Sequence, residues 1–323
     1  MLSDPNPIIR LARPTAGPET TKTAANIMLG LIVKEQREAA GLTQTKLARE
    51  ILVSNSTVSR LENAETTPER RTVEAVIQCL QMDEPTRQTM MLLLARALEP
   101  EWYQHRYSDV TPDYLKRLLG LESMAIALTT YDVRLVSGLL QTSAYASRII
   151  RTGLHLSEWD GSEAELRLAQ RIERQERVLS QPEPPRCVFL MDESILMRRV
   201  GPDSVMREQM VHLRELADLP HITIRFVLLD RMIAGNEASM AGSMAQLQFG
   251  RGGLPDMVYA EGYGKADYFT RPARSAEERA KPWATRENDY ERHLQLLLRI
   301  QGEACASPTR SRRLLDEAIK RFS

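Results

Sequence analysis

Gly41-Leu-Thr-Gln-Thr-Lys-Leu-Ala48 and Val53-Ser-Asn-Ser-Thr-Val-Ser-Arg-Leu-Glu-Asn63 have the internal logic of a helix-turn-helix. Thr43 and Ser54 are N-cap residues, whose hydroxyls satisfy first-turn amides, so each opens a short helix. Small Ala48 lets the two helices cross closely, while Leu47, Ile51, Val58 and Leu61 fill the core beneath them. The outer face is left polar. Capping by Ser54 places Asn55, Ser56 and Thr57 in the first turn of the later helix, with Ser59 and Arg60 a turn further along an exposed side. These are the positions from which a recognition helix reads base edges in a major groove. Arg can bond bidentately to guanine, Asn to adenine, and Ser or Thr to several bases. Gln44 opens the preceding helix beside Thr43 and is placed to meet a phosphate, with backbone N–H groups adding an anion site. The bland alternative is a bundle whose polar face is merely solvated.

Working outward, Leu29, Val33 and Ala40 recur at helical spacing until Gly41 stops the pattern, which gives a helix before the motif. Thr67-Pro68-Glu69 predicts a fourth helix, as an N-cap, a proline at the first helical position and an early acid. Asp83 caps a fifth that runs to about Leu98. Five short helices make a compact all-helical domain over residues 26–98. Residues 1–25, with Pro5, Pro7, Pro14 and Pro18, read as a flexible arm, and 99–110 as a linker. From 111 to 323 the texture is mixed and predicts one α+β domain, so the whole is mainly α and α+β overall. Strands are expected at Arg186–Met191, Ile222–Leu229, Ser243–Phe249 and Asp256–Glu261. Helices are expected from Thr111-Pro112-Asp113, and at Gln141–Arg151, Ser162–Leu179, Pro202–Ala217, Asn288–Gly302 and Pro308–Phe322.

Composition narrows the function classes. The chain has 323 residues, 42% hydrophobic and 27% charged, near globular averages. Its longest apolar runs fall far short of a membrane span, and the N-terminus lacks the basic and then apolar blocks of a secretory signal, so a cytoplasmic protein with no membrane partner is expected. Cys79, Cys187 and Cys305 are too dispersed for a metal knuckle or redox pair and are expected to be reduced. Lys plus Arg at 43 equals Asp plus Glu at 43, so no whole-chain field advertises nucleic acid. Within 42–60, however, Lys46, Arg49 and Arg60 oppose only Glu50.

With these residues set out, the motif resembles the DNA-binding domain of xenobiotic-response-element (XRE) type regulators, relatives of phage repressors. The resemblance implies a lambda-repressor-like five-helix domain that binds an operator in double-stranded DNA. It assigns Gln44, Asn55, Ser56 and Arg60 to DNA contact, Thr45, Thr57 and Ser59 to phosphate or auxiliary contacts, and Glu62 to structure. Ala64 departs from the glycine that usually ends the recognition helix, and a left-handed residue there costs more without glycine. Downstream, Gly138-Leu-Leu-Gln-Thr142 with Tyr145-Ala146, Arg171 to Gln175, Val178-Leu179, Asp192-Glu193 with Leu196, and Val258-Tyr259-x-Glu261 follow in order. They resemble the C-terminal domain of actinobacterial antitoxin-like XRE regulators, whose genes often neighbour one for a small partner protein. Ser137 replaces a proline often found before Gly138. Residues 271–286 make a longer loop than usual.

Chemistry in the second domain is sparse. Gly138, Gln141 and Thr142, with Tyr259, Glu261 and Tyr263, are the candidate ligand or partner site, because a glycine permits close approach beside polar groups. The competing reading of Gly138–Thr142 is a turn and a capped helix start. Arg171, Arg174 and Arg177 alternate with Glu165, Glu173 and Glu176, which predicts a solvated charged face or a buried ion-pair network. Asp192, Glu193 and Glu261 are expected to pair with arginines rather than to form a catalytic carboxylate pair. The five histidines lack ligand spacing, Gly262-Tyr-Gly-Lys265 lacks the full phosphate-loop pattern, and no nucleophile elbow is present. No metal, no cofactor and no enzymatic activity are expected. The expectation is a transcriptional regulator, as a homodimer, whose C-terminal domain receives a protein or small-molecule signal. The alternative is an antitoxin-like protein that binds a small cognate partner, with DNA binding as autoregulation.

Overall fold

A computed structural model describes residues 23–154, 161–231, 241–250, 254–262, 265–271 and 288–323. Most of the proposed arm, Tyr263 and nearly all of the 271–286 loop lie outside the described residues. The chain begins with helices α1 (Ala24–Ala39), α2 (Gln44–Glu50), α3 (Asn55–Glu62), α4 (Arg70–Cys79) and α5 (Glu84–Ala97). Thr43, Ser54 and Asp83 cap α2, α3 and α5 through their side chains, as their positions predict.

Two starts differ from the sequence reading. Helix α1 begins at Ala24, just before the expected domain start near Asn26, because the Thr23 hydroxyl accepts from the Asn26 amide and supplies the cap. Helix α4 begins at Arg70, with Glu69 at the N-cap making no side-chain bond, so Pro68 stands outside it. Asn26 Nδ2 donates to the carbonyls of Thr66 (2.9 Å) and Ala64 (3.5 Å), which ties the preceding segment to α1.

The first four helices end alike. Gly41, Leu52, Ala64 and Gln81 take φ of 68°, 57°, 51° and 49°. The next amide reaches back in each case: Leu42 N to Arg37 O (3.1 Å), Val53 N to Ala48 O (2.9 Å), Glu65 N to Arg60 O (2.8 Å) and Met82 N to Ile77 O (3.2 Å). This is the Schellman termination, satisfying carbonyls that the helix end leaves open. Ala64 therefore keeps the left-handed turn that glycine would make more cheaply.

Residues 99–110 are not an extended tether. They carry α6 (Gln104–Tyr107), and Tyr103 and Tyr107 are buried with Val110 against Leu119 of α7 (Asp113–Glu122). Helix α7 also packs on α1. A Cβ at Gly120 would stand 2.6 Å from that of Ala24, and the Glu101 carboxylate accepts from the Ala24 amide at 3.2 Å. One apolar core runs through this seam, from Met28 and Leu29 to Phe189 and Phe226 of the sheet.

The sheet has the order β3-β2-β1-β4-β5-β6. Its strands are β1 (Ala127–Asp132), β2 (Arg186–Asp192), β3 (Ile222–Val227), β4 (Met244–Gln248), β5 (Met257–Glu261) and β6 (Ala266–Thr270). β1, β2 and β3 are parallel, with Thr129 opposite Val188 and Val188 opposite Thr223; β4, β5 and β6 continue antiparallel from β1. Helices α8 (Ser143–Leu154) and α9 (Gly161–Leu179) connect β1 to β2, and α10 (Asp203–Leu216) connects β2 to β3. Alternation places Cys187, Phe189 and Met191 on one face with Met206, Met210 and Leu213 of α10 and Leu315 of α12 (Pro308–Arg321). Leu190, Tyr131 and Val258 face the other way, onto Tyr290 and Leu297 of α11 (Asp289–Arg299). A π turn, Ile300–Ala304, ends α11 where a regular helix to Gly302 was expected. The expected strands are present, β2 one residue longer than expected and β3, β4 and β5 slightly shorter. β1 and β6 were not foreseen, although β1 lies in mid-sheet.

Candidate nucleic-acid interface and C-terminal cavity

The side of α3 that the motif leaves polar is open to solvent: Asn55, Ser56 and Arg60 are exposed, while Thr57 and Ser59 are half-buried. Ser54 Oγ accepts from the Thr57 amide (3.1 Å) and meets the hydroxyls of Ser56 and Thr57 at 2.8 Å each. Thr45, exposed at the start of α2, donates to Asn55 Oδ1 at 3.2 Å and so ties the two helix N-termini together. Asn63 Nδ2 donates to Ser59 Oγ at 3.4 Å. Exposed Lys46 and Arg49 on α2 add positive charge beside this surface.

Beneath it lies a buried ionic knot. Glu62, 5% exposed, accepts from Arg37 Nε at 2.5 Å and Nη2 at 3.0 Å, and from Gln44 Nε2 at 2.7 Å. Arg37 Nη1 donates to the Leu42 carbonyl at 2.8 Å. Hydrogen bonding to Glu62 raises the Arg37 guanidinium above its usual pKa, against the opposing effect of burial. The structural role expected of Glu62 is thus explicit. Gln44 uses one amide hydrogen in this bond, which orients the side chain. Gly30 lets α3 approach: a Cβ there would sit 2.5 Å from the Leu61 carbonyl oxygen and 2.6 Å from that of Glu62.

In the second domain, Gly138, Gln141, Tyr259 and Glu261 line one cavity of about 750 Å³, between α7, α9, the sheet and the 3-10 turn Gly138–Leu140. Thr142 does not join them. Its hydroxyl accepts from the Tyr145 amide as the cap of α8, its own amide donates to Gln209 Oε1 (2.8 Å), and it borders a separate pocket with His212. Helix α9 divides as the alternatives allowed. Arg177 pairs with Glu173 near the surface, whereas Arg174 makes a bidentate pair with buried Glu122 at 2.7 Å on each arm. Arg171 Nη1 donates to Gln141 Oε1 at 2.5 Å, and Gln175 holds the carbonyls of Gly138 (2.8 Å) and Gln141 (2.9 Å). Asp192 and Glu193 stand apart from Glu261. Asp192 accepts from the Ser194 amide and Glu193 from the Leu229 amide, so neither makes the arginine pair expected of it among the described residues.

A helix-turn-helix domain model matches residues 29–90, and a model described as a domain of unknown function, DUF5753, matches residues 115–281, just over half of the chain. The chain belongs to the DUF5753 family. No curated protein and no solved structure matches it. The helix-turn-helix match covers every candidate DNA-contact residue, and the DUF5753 match covers the cavity's sheet floor and α9. Among the described residues no helix is long and apolar enough to cross a membrane. Cys79, Cys187 and Cys305 are free thiols.

Sequence reasoning missed Glu122 and Asp132 of the DUF5753 domain. Nothing local marks Glu122, whose partner is 52 residues away. Asp132 ends β1 at the cavity, where burial pushes its carboxyl from 3.8 up to about 7, opposed by the Thr130 hydroxyl bond (2.9 Å) and aided by Glu261 nearby. Since the folded state holds this proton more tightly than the unfolded one, its contribution is complete below 3.8 and is lost as pH rises through about 7. Asp132→Asn is therefore expected to gain stability relative to the parent as pH rises through that window. Parallel urea midpoints across it test this; a constant difference between the two proteins would contradict the assignment.

Proposed function

We propose that the protein is a sequence-specific DNA-binding transcriptional regulator of the XRE type. In this reading the five helices from α1 to α5 form a lambda-repressor-like domain over about residues 26–98, extended to Thr23, and α3 is the recognition helix. The domain over 111–323 dimerises and receives a signal, and 99–110 is the packed connection between them. The observation that carries the reading is the polar, exposed side of α3, bearing Asn55, Ser56 and Arg60, held over a buried knot that fixes its position. A side chain kept out in this way, on a helix whose opposite side is locked, is pre-organised for a groove. A dimer would set two such helices about one DNA turn, ~34 Å, apart on a roughly palindromic operator. The reading is of a binding protein in the cytoplasm, not an enzyme.

Arg60→Ala is expected to weaken specific binding by about 1–3 kcal/mol and to relax base preference at one position in each half-site, as loss of a guanine contact does. Competition binding on the chain's own upstream DNA and on scrambled DNA, at several salt concentrations, reads both effects. Unchanged affinity and unchanged preference would remove Arg60 from the interface. Uniform weakening on all sequences would reassign it to phosphate.

A further inference from the structure

The cavity of the DUF5753 domain lies at the carboxyl end of β1. From β1 the chain crosses to β2 on one side, while β4 enters on the other and runs antiparallel. In open α/β sheets, ligands lie in crevices outside the carboxyl ends of the strands, and this crevice lies outside that of β1. This crevice is built and charged in an uneven way. Arg174 is neutralised on both arms by Glu122. Arg171, one helical turn earlier on the same side of α9, makes no ion pair among the described residues, and its one side-chain partner is the neutral carbonyl of Gln141. Burial, with Arg174 alongside, lowers the Arg171 guanidinium to about 10. A half-buried, partly desolvated cation without a contacting anion is a group that a bound anion would stabilise.

The remaining charges limit that anion. Glu122, Asp132 and Glu261 also line the cavity, with Arg134 exposed among its lining residues. Glu261, exposed at the rim, lies within electrostatic reach of Arg171 and Arg174. A doubly charged phosphate would face these acids, whereas a single negative charge suits Arg171, the guanidinium inside the cavity with no contacting anion among the described residues; Arg134 is exposed and its charge is screened by solvent. The rest of the wall includes Leu115, Leu118, Leu139 and Ile149. About 750 Å³ is the room that a small organic ligand needs.

We propose that this cavity is an effector site for a small organic monocarboxylate, whose carboxylate meets Arg171 and whose apolar body lies against Leu118, Leu139 and Ile149. The proposal rests on the reading of this domain as the part that receives a signal. It is tested on the full chain, without DNA, by titration calorimetry and ligand-observed NMR. The probes are 3-phenylpropanoate, its neutral primary amide and phenyl phosphate. The carboxylate is expected to bind at least about tenfold more tightly than the amide, as a charge-assisted bond adds. Arg171→Gln is expected to erase that difference while leaving the amide's affinity in place, which a purely structural arginine would not do. Equal affinities for carboxylate and amide in the parent protein, binding of neither, or a preference that survives Arg171→Gln would each overturn the proposal. Tighter binding of phenyl phosphate would overturn the monoanion assignment. The carboxylate–amide comparison needs no variant, so it stands even if Arg171→Gln does not fold. Because DNA is absent, failure here leaves the regulator reading untouched, and an unaltered Arg60→Ala would leave this site untouched.

Discussion

Gly30→Ala is expected to cost the helix-turn-helix unit ~3 kcal/mol or more, enough to unfold it or nearly so. In an ordinary helix interior the same change stabilises by roughly 1 kcal/mol, because alanine is the better helix former. Here the sign reverses. The new methyl would lie 2.5 Å from the Leu61 carbonyl oxygen, 2.6 Å from that of Glu62 and 3.0 Å from the Glu62 carbonyl carbon. All three are backbone atoms of α3, so no side chain can rotate away and α3 itself must move. Gly41→Ala is the control. Its φ is 68° and nothing lies within 4 Å of an added Cβ, so only left-handed strain of about 1–2 kcal/mol applies. Urea unfolding of both variants, with amide exchange followed across α3, separates the two mechanisms. Equal losses, or a stabilised Gly30→Ala, would mean that α1 and α3 are not in backbone contact.

That contact was invisible from the sequence, where Gly30 is one small residue in a helical run. What was legible is local. Capping by Thr43, Ser54 and Asp83 depends on neighbours a few residues away, and so do the apolar positions Leu47, Val58 and Leu61. Helix α3 could thus be placed within a residue. Helix ends were less legible, because Leu52, Ala64 and Gln81 adopt a conformation that composition assigns to glycine. Leu52 does so while 92% exposed, paying strain without burial in return. Strand β1 escaped notice because Ala127-Leu-Thr-Thr-Tyr-Asp132 is short and buried on both faces, which removes the alternation that marks a half-exposed strand. The cavity had a partial signal. Gly138, Gln141, Tyr259 and Glu261 were singled out and do meet, but the groups that give the site its charge come from α7 and α9 and depend on tertiary packing. Thr142 carried a hydroxyl in the right place for a ligand and in a better one for a helix cap.

Glu62→Gln is the second change with a large expected effect, ~3–5 kcal/mol of lost stability. The substitution is nearly isosteric, so the loss would come from charge and not from packing. Arg37, with its side chain 8% exposed, would keep its positive charge and lose the carboxylate that meets two of its nitrogens. Replacing both partners by apolar residues, as in Arg37→Met with Glu62→Leu, leaves no stranded charge and should recover most of the stability. The two readouts should then part. Gln44 is oriented by its bond to Glu62 Oε2, so the doubly apolar protein would fold with Gln44 unanchored and bind operator DNA more weakly than its stability suggests. Urea unfolding and operator affinity on the same three proteins decide the matter. If affinity returns along with stability, the knot serves folding alone. If stability returns and affinity does not, the pair was retained for where it holds Gln44 and the start of α2, since apolar residues can supply the stability but cannot aim an amide at a phosphate.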